Sequence, residues 1–126
     1  MDRYFWDQAL APRFLLTPPA LSGIHRVAMY TETGKQRRHL RALAHPLKPV
    51  VQVGVRGLVE SVLEQVEAQL HSHELIKIKL GEECPIDPAE VRDAIAQTLR
   101  AEVVQIIGRT LIAYRPRKKN PTIELP

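Results

Sequence analysis

The residues best placed to do chemistry in this chain of 126 residues are Gly54-Val55-Arg56-Gly57. They follow the apolar run Pro49-Val50-Val51-Gln52-Val53 and precede an amphipathic pattern that begins near Leu58. A glycine at each end of a strand-to-helix turn lets the backbone approach a ligand closely, with the free N–H groups of the helix facing it. Anions suit such a turn, and Arg56 adds a cation at its tip. A plain tight turn, whose glycines only permit positive φ, accounts for the same four letters, so the flanks must decide. Between Thr33 and Val59 lie six bases (Lys35, Arg37, Arg38, Arg41, Lys48 and Arg56) and no acid. Residues 60–102 reverse the balance, with ten acids and four bases, and residues 103–126 return to five bases against one acid. Solvated helices usually mix signs to gain i,i+4 support, which an acid-free segment forgoes. Neutralising phosphates is the simplest use of such a surface, and the flanks favour binding over the plain turn.

Other candidate groups are weaker. Lys77 and Lys79 either extend the basic surface across a sheet or keep an open β face soluble, and Arg109 at a hairpin tip is open in the same way. His39 and His45 read as ordinary surface residues. His71, His73 and Cys84 offer three zinc-type ligands at odd spacing where a structural site takes four, and helix-end histidines explain them better. Glu60, Glu64 and Glu67 line one helix side and read as solvation, not as a carboxylate pair. There is no Gly-Lys-Ser/Thr phosphate loop and no nucleophile elbow. No catalytic residue, metal or cofactor is therefore expected. The single Cys84 excludes an internal disulfide framework and fits a reducing cytosol. No apolar run approaches the roughly 20 residues of a membrane span, so a cytoplasmic protein is expected.

The elements that must position these groups follow from periodicity. Thr33 is a good N-cap for a helix to about Ala44, ended by Pro46 and Pro49. Gln36, Leu40, Leu43 and Ala44 share one side of it, and Arg38, flanked by Lys35, Arg37 and Arg41, lies opposite. Val50–Val53 is a short β-branched strand. Leu58 to His71 is the strongest helix, with Val59, Val62, Leu63, Val66 and Leu70 at core spacing. Glu74 to Leu80 alternates as a strand, Ile76, Ile78 and Leu80 facing one way and Lys77 and Lys79 the other. Asp87-Pro88 marks N-cap and first residue of a third helix, with Val91, Ala94, Ile95, Thr98 and Leu99 as its stripe. Glu102–Ile107 and Thr110–Arg115 form a hairpin about Gly108-Arg109. The order is helix, then strand-helix-strand-helix-strand-strand: an α/β chain with a four-stranded mixed sheet, laid out as a two-layer sandwich of α+β type with helices on one side and a partly open face opposite. Residues 1–29 read as a flexible leader, or as an upstream extension with Met29 the true start, and 117–126 as a basic, proline-broken mobile arm. Tyr114 is the only aromatic in a strand, which points to backbone and shape recognition rather than base stacking.

The stretches Thr33–Arg41, Val51–Gly57 and Val104–Arg115, with the tail Lys118–Pro126, resemble the YhbY-like CRM domain (chloroplast RNA splicing and ribosome maturation). The resemblance covers about residues 30–126, and the leader has no counterpart in it. It implies a fold similar to the C-terminal domain of translation initiation factor three, with a Gly-x-x-Gly loop like that of KH domains at Gly54, Val55, Arg56 and Gly57. It also implies RNA binding, with the basic first helix at Lys35, Arg37, Arg38 and Arg41. Bacterial members are associated with precursors of the large ribosomal subunit. The expectation is thus a monomeric, non-catalytic protein with a CRM domain over 30–116, bound to precursor ribosomal RNA in pre-large-subunit particles. A protein-interaction module, docking on ribosomal proteins or assembly factors through its acidic second helix or open sheet face, is the alternative.

Overall fold

The computed structural model describes residues 29–126; the expectations for the leader fall outside them, apart from Met29. Helix α1 (Gly34–Ala44) starts where Thr33 holds extended backbone and its hydroxyl accepts the N–H of Gln36 at 3.1 Å. Replacing Thr33 by alanine is expected to remove about 1 kcal/mol of stability, read as a lower midpoint in urea denaturation. The chain continues through β1 (Pro49–Val53), α2 (Glu60–His73), β2 (Leu75–Leu80), α3 (Pro88–Leu99), β3 (Glu102–Ile107) and β4 (Thr110–Tyr114). The strands lie in the order β1-β2-β4-β3. β1 runs parallel to β2, and the other two pairings are antiparallel. Element order and mixed sheet are those the sequence predicts. The hairpin turns on Gly108, whose φ of 60° at the first central position is what a two-residue turn with glycine first requires.

α2 and α3 pack on one face of the sheet. Val51, Val53, Ile76, Ile78, Leu80, Leu111 and Ala113 meet Val66 and Leu70 of α2 and Val91, Ile95 and Leu99 of α3. The layering differs from the two-layer expectation on the other face, which is not left open along its length. There α1 lays Leu40 and Ala44 onto Leu75, Val104, Ile112 and Tyr114. Lys77 and Lys79 make one end of this face of β2 polar, whereas the apolar residues at the start of β2 and along β4 give α1 its seat. Ile123 and Leu125 pack against the same cluster, so the C-terminal tail folds back onto the sheet instead of standing off as an arm.

Two buried carboxylates secure these additions. Glu102 accepts the N–H groups of Tyr30 at 2.8 Å and Thr31 at 3.0 Å, and the Thr31 hydroxyl at 2.5 Å. Glu74 accepts the N–H of Arg117 at 2.6 Å, of Thr122 at 2.8 Å and of Ile123 at 3.1 Å, and the Thr122 hydroxyl at 2.6 Å. Burial alone would raise the Glu74 pKa, but these donors outweigh it and hold the carboxyl below its ordinary value. Glu74 ends α2 at φ 66°, a left-handed conformation that glycine usually supplies. A side chain is kept there because its carboxylate ties the tail.

Candidate nucleic-acid interface

The Gly54–Gly57 turn closes on itself, with the Gly57 N–H donating to the Gly54 carbonyl at 3.0 Å. Val55 and Arg56 stand at its exposed tip, and among the described residues their N–H groups have no backbone partner. The two glycines serve different ends. Gly57 is buried and has φ 73°, with Pro85 and Ile86 close behind it; the fold itself needs a glycine there. Gly54 has ordinary backbone, and a Cβ built on it would meet nothing within 4 Å. Among the described residues nothing calls for its lack of a side chain, so the backbone there is open to close approach from outside.

The helix does not begin at Leu58, as the periodicity suggests. Gly57 is left-handed and Val59 extended, so α2 starts at Glu60. The amides of Val62 and Leu63 both donate to the Val59 carbonyl, and the acidic Glu60 stands in its first turn. An anion at the tip of this turn would be met first by the amides of Val55 and Arg56 and by the Arg56 side chain, which are the exposed groups there.

On α1, Lys35 and Arg38 are exposed and Arg41 half-exposed. Arg37 is partly engaged, its guanidinium 3.5 Å from the Thr31 hydroxyl. The first turn of α1 holds no acid, although its positive end would favour one. Lys35 there works slightly against helix stability, so the cationic back of α1 is not explained by what the helix itself needs.

β2 carries the basic surface from α1 towards the turn. Leu75 lies beneath α1, so alternation puts Lys77 and Lys79 on the same face. Lys77 donates to the His45 carbonyl at 3.1 Å, just past the end of α1. Lys79 is exposed and pairs with Gln52, two residues short of Gly54. Lys79 lies about 7 Å further along the strand than Lys77. A cationic strip thus runs from α1 through Lys77 and Lys79 to the Gly54 turn. Lys77 serves both the fold and the strip.

Arg109 has a different place. Its guanidinium donates to the Gly81 carbonyl at 2.9 Å and to the Cys84 carbonyl at 3.4 Å, holding the loop whose Pro85 and Ile86 back Gly57. It supports the turn from behind. His71 and His73 end α2 while Cys84 follows β2, so six residues of strand separate them, about 20 Å. They are not brought together, and among the described residues no group of three metal-type side chains gathers. Tyr114 is buried under α1 with its ring edge-on to Tyr30, centroids 6.0 Å apart, and presents no face for a base. Glu67, read from sequence as solvation, instead forms a two-point pair with Arg115 at 2.8 and 3.0 Å. Periodicity alone could not reveal that partner, 48 residues away.

The sequence model for the CRS1 / YhbY (CRM) domain matches residues 33–115. The chain is 40% identical over 94 residues to "Probable RNA-binding protein YqeI" of Bacillus subtilis, a match spanning 75% of this chain and 98% of that one. It is 41% identical over 98 residues to a Haemophilus influenzae protein named "RNA-binding protein", covering 78% and 98%. The solution structure of SAV1595 from Staphylococcus aureus superposes with a TM-score of 0.65 at 38% identity, over 76% of this chain and all of that one. Among the described residues no helix is long and apolar enough to cross a membrane.

Proposed function

This chain belongs to the CRS1 / YhbY (CRM) domain family, and from that membership we propose that it is a non-catalytic RNA-binding protein that assists assembly of the large ribosomal subunit. Relatives named as RNA-binding proteins support the coarser part of this reading. The observation that carries its mechanism is Gly54, a glycine that no contact among the described residues requires, at the end of a strip of cations from α1 and β2.

In this mechanism the amides of Val55 and Arg56 and the Arg56 guanidinium hold a phosphate, and Gly54 lets the sugar-phosphate backbone come within contact. Lys35, Arg38 and Arg41 hold the adjacent segment, and Lys77 and Lys79 bridge the two. Arg37 adds charge beside them, and Gly57 and Arg109 keep the turn in shape. Among the described residues the sheet presents no exposed aromatic platform, and recognition is by backbone and shape. Residues 30–116 form the RNA-binding domain, with 117–126 as its basic tail, and a monomer acts on precursor ribosomal RNA in the cytoplasm. The bound protein stabilises a folding intermediate or keeps a site open while the subunit matures.

Crosslinking in cells, followed by sequencing of the attached RNA, tests this. Crosslinks concentrated on the large-subunit precursor are expected, and a scatter across messenger RNAs would overturn the ribosomal part. A pull-down after nuclease treatment should lose the precursor particles. Their retention would favour docking on ribosomal proteins or assembly factors.

A further inference from the structure

At the end of the sheet remote from Gly54 lies a cavity of about 1200 Å³. Its lining includes five cations, Arg100, Arg115, Arg117, Lys118 and Lys119, and one acid, Glu67. Glu67 is neutralised by its two-point pair with Arg115. Neither of the two buried acids of this end is free for the cavity, since Glu74 is turned to the tail and Glu102 to Tyr30–Thr31. Two helices end here, and their negative ends would oppose an anion, but three of the carbonyls at these ends are already engaged. Arg115 takes the Leu99 carbonyl at 3.0 Å, the Tyr30 hydroxyl takes that of Arg100 at 2.6 Å, and the Glu74 N–H takes that of Leu70 at 2.9 Å.

Two features have no internal explanation. Arg117 carries a buried Nε with no hydrogen-bond partner, and a buried donor left unpaired calls for a missing acceptor. Arg100 sits at φ 56°, ψ 43° as the C-cap of α3, a place where glycine is the unstrained choice. Its exposed side chain has no ion pair among the described residues. The molecule tolerates strain there and leaves a cation at the cavity mouth.

We propose that this cavity is a second RNA-contact site, which receives a phosphate-bearing nucleotide segment of the strand held at the Gly54 turn. The volume exceeds what a bare phosphate fills and suits a nucleotide. Leu70 and Leu99 give it an apolar lining, and the free charges lie on the rim and tail. β2 spans six residues between the two sites, about 20 Å, so only an RNA long enough to reach both gains from the cavity. The proposal rests on the RNA-binding reading above.

The test combines Arg100→Asn, Lys118→Gln and Lys119→Gln in the full chain, at exposed residues outside the strip. Asparagine tolerates the left-handed backbone. Lys118→Gln with Lys119→Gln alone serves as a second variant that leaves the α3 cap untouched. Affinity is measured by fluorescence anisotropy on a long single-stranded RNA and on an oligonucleotide too short to span the sheet, with Gly54→Asp in parallel. The triple variant is expected to bind the long RNA roughly tenfold more weakly, with a salt slope smaller by about 2, and the short one unchanged. The double variant should lose part of the same affinity. Unchanged affinity for the long RNA, with Gly54→Asp still weakening it, overturns the second site and leaves the first standing. Equal losses on both RNAs reduce the effect to general charge and also overturn it. If wild-type protein binds neither RNA, the parent reading falls and this one with it.

Discussion

Placing aspartate at Gly54 is expected to weaken RNA binding roughly 10- to 100-fold, the loss of one or two charge-assisted hydrogen bonds to phosphate, while the fold keeps its stability. Both halves follow from local geometry. The position has ordinary φ, and a Cβ there meets open space, so neither strain nor a clash arises. A carboxylate beside the amides of Val55 and Arg56 would occupy the donors proposed to hold a phosphate and repel its charge. Gly57→Ala separates structure from binding. At φ 73° a side chain costs about 1 kcal/mol or more in strain, so that variant should melt earlier whether or not RNA is present. Gly54→Asp together with Gly57→Asp should show both losses. Anisotropy and thermal melting on the same preparations distinguish them.

Removing the Glu74 carboxylate is expected to cost about 2–4 kcal/mol, because four donors lose a charged acceptor and the tail loses its tie. In Glu74→Ala, trypsin should cut after Arg117, Lys118 and Lys119 much faster than in the wild type. Glu74→Gly should lose about 1 kcal/mol less, since glycine relieves the left-handed backbone at φ 66°. The acid dependence has a definite sign. The folded pKa lies below the usual value of 4.5, so the Glu74 contribution is complete above that value and disappears as pH falls through the lower folded one. Urea midpoints taken at neutral pH and at about pH 3 should therefore diverge in the wild type more than in Glu74→Gln. Equal divergence would mean that other carboxylates carry the acid sensitivity.

Local rules reached far into this molecule because its elements obey them locally. Thr33 and Asp87 cap helices by short-range hydrogen bonds, Gly108 turns a hairpin by its own φ, and Ile76, Ile78 and Leu80 alternate against Lys77 and Lys79. What escaped the sequence was decided by contacts between distant residues. Glu74 and Glu102 look like ordinary acids until donors 43 to 49 and 71 to 72 positions away reach them. The place of α1 on the second face depends on Ile112 and Tyr114, which read equally well as inward residues of a covered hairpin. The start of α2 shifted by two residues because Gly57 and Val59 leave helical backbone, which periodicity does not register. Of the candidate site, the turn and the cationic helix were legible from composition. Arg109 was not, since its partners lie on a loop that only the folded sheet brings under the hairpin.

The central claim is that the cationic back of α1 and the Gly54 turn hold one RNA backbone together. Its most direct test is the salt dependence of RNA affinity in wild type and in the combined Lys35→Gln, Arg38→Gln and Arg41→Gln variant. Each neutralised phosphate on a single strand contributes roughly 0.7 to the slope of log affinity against log salt. The variant should bind more weakly and its slope should be shallower by about 2. Its melting temperature should change little, because α1 contains no acid for these residues to pair with and losing Arg41 from the last turn is offset by losing Lys35 from the first. Parallel slopes of equal affinity, from a variant that is folded, would contradict the claim and leave the basic helix as a solvated face.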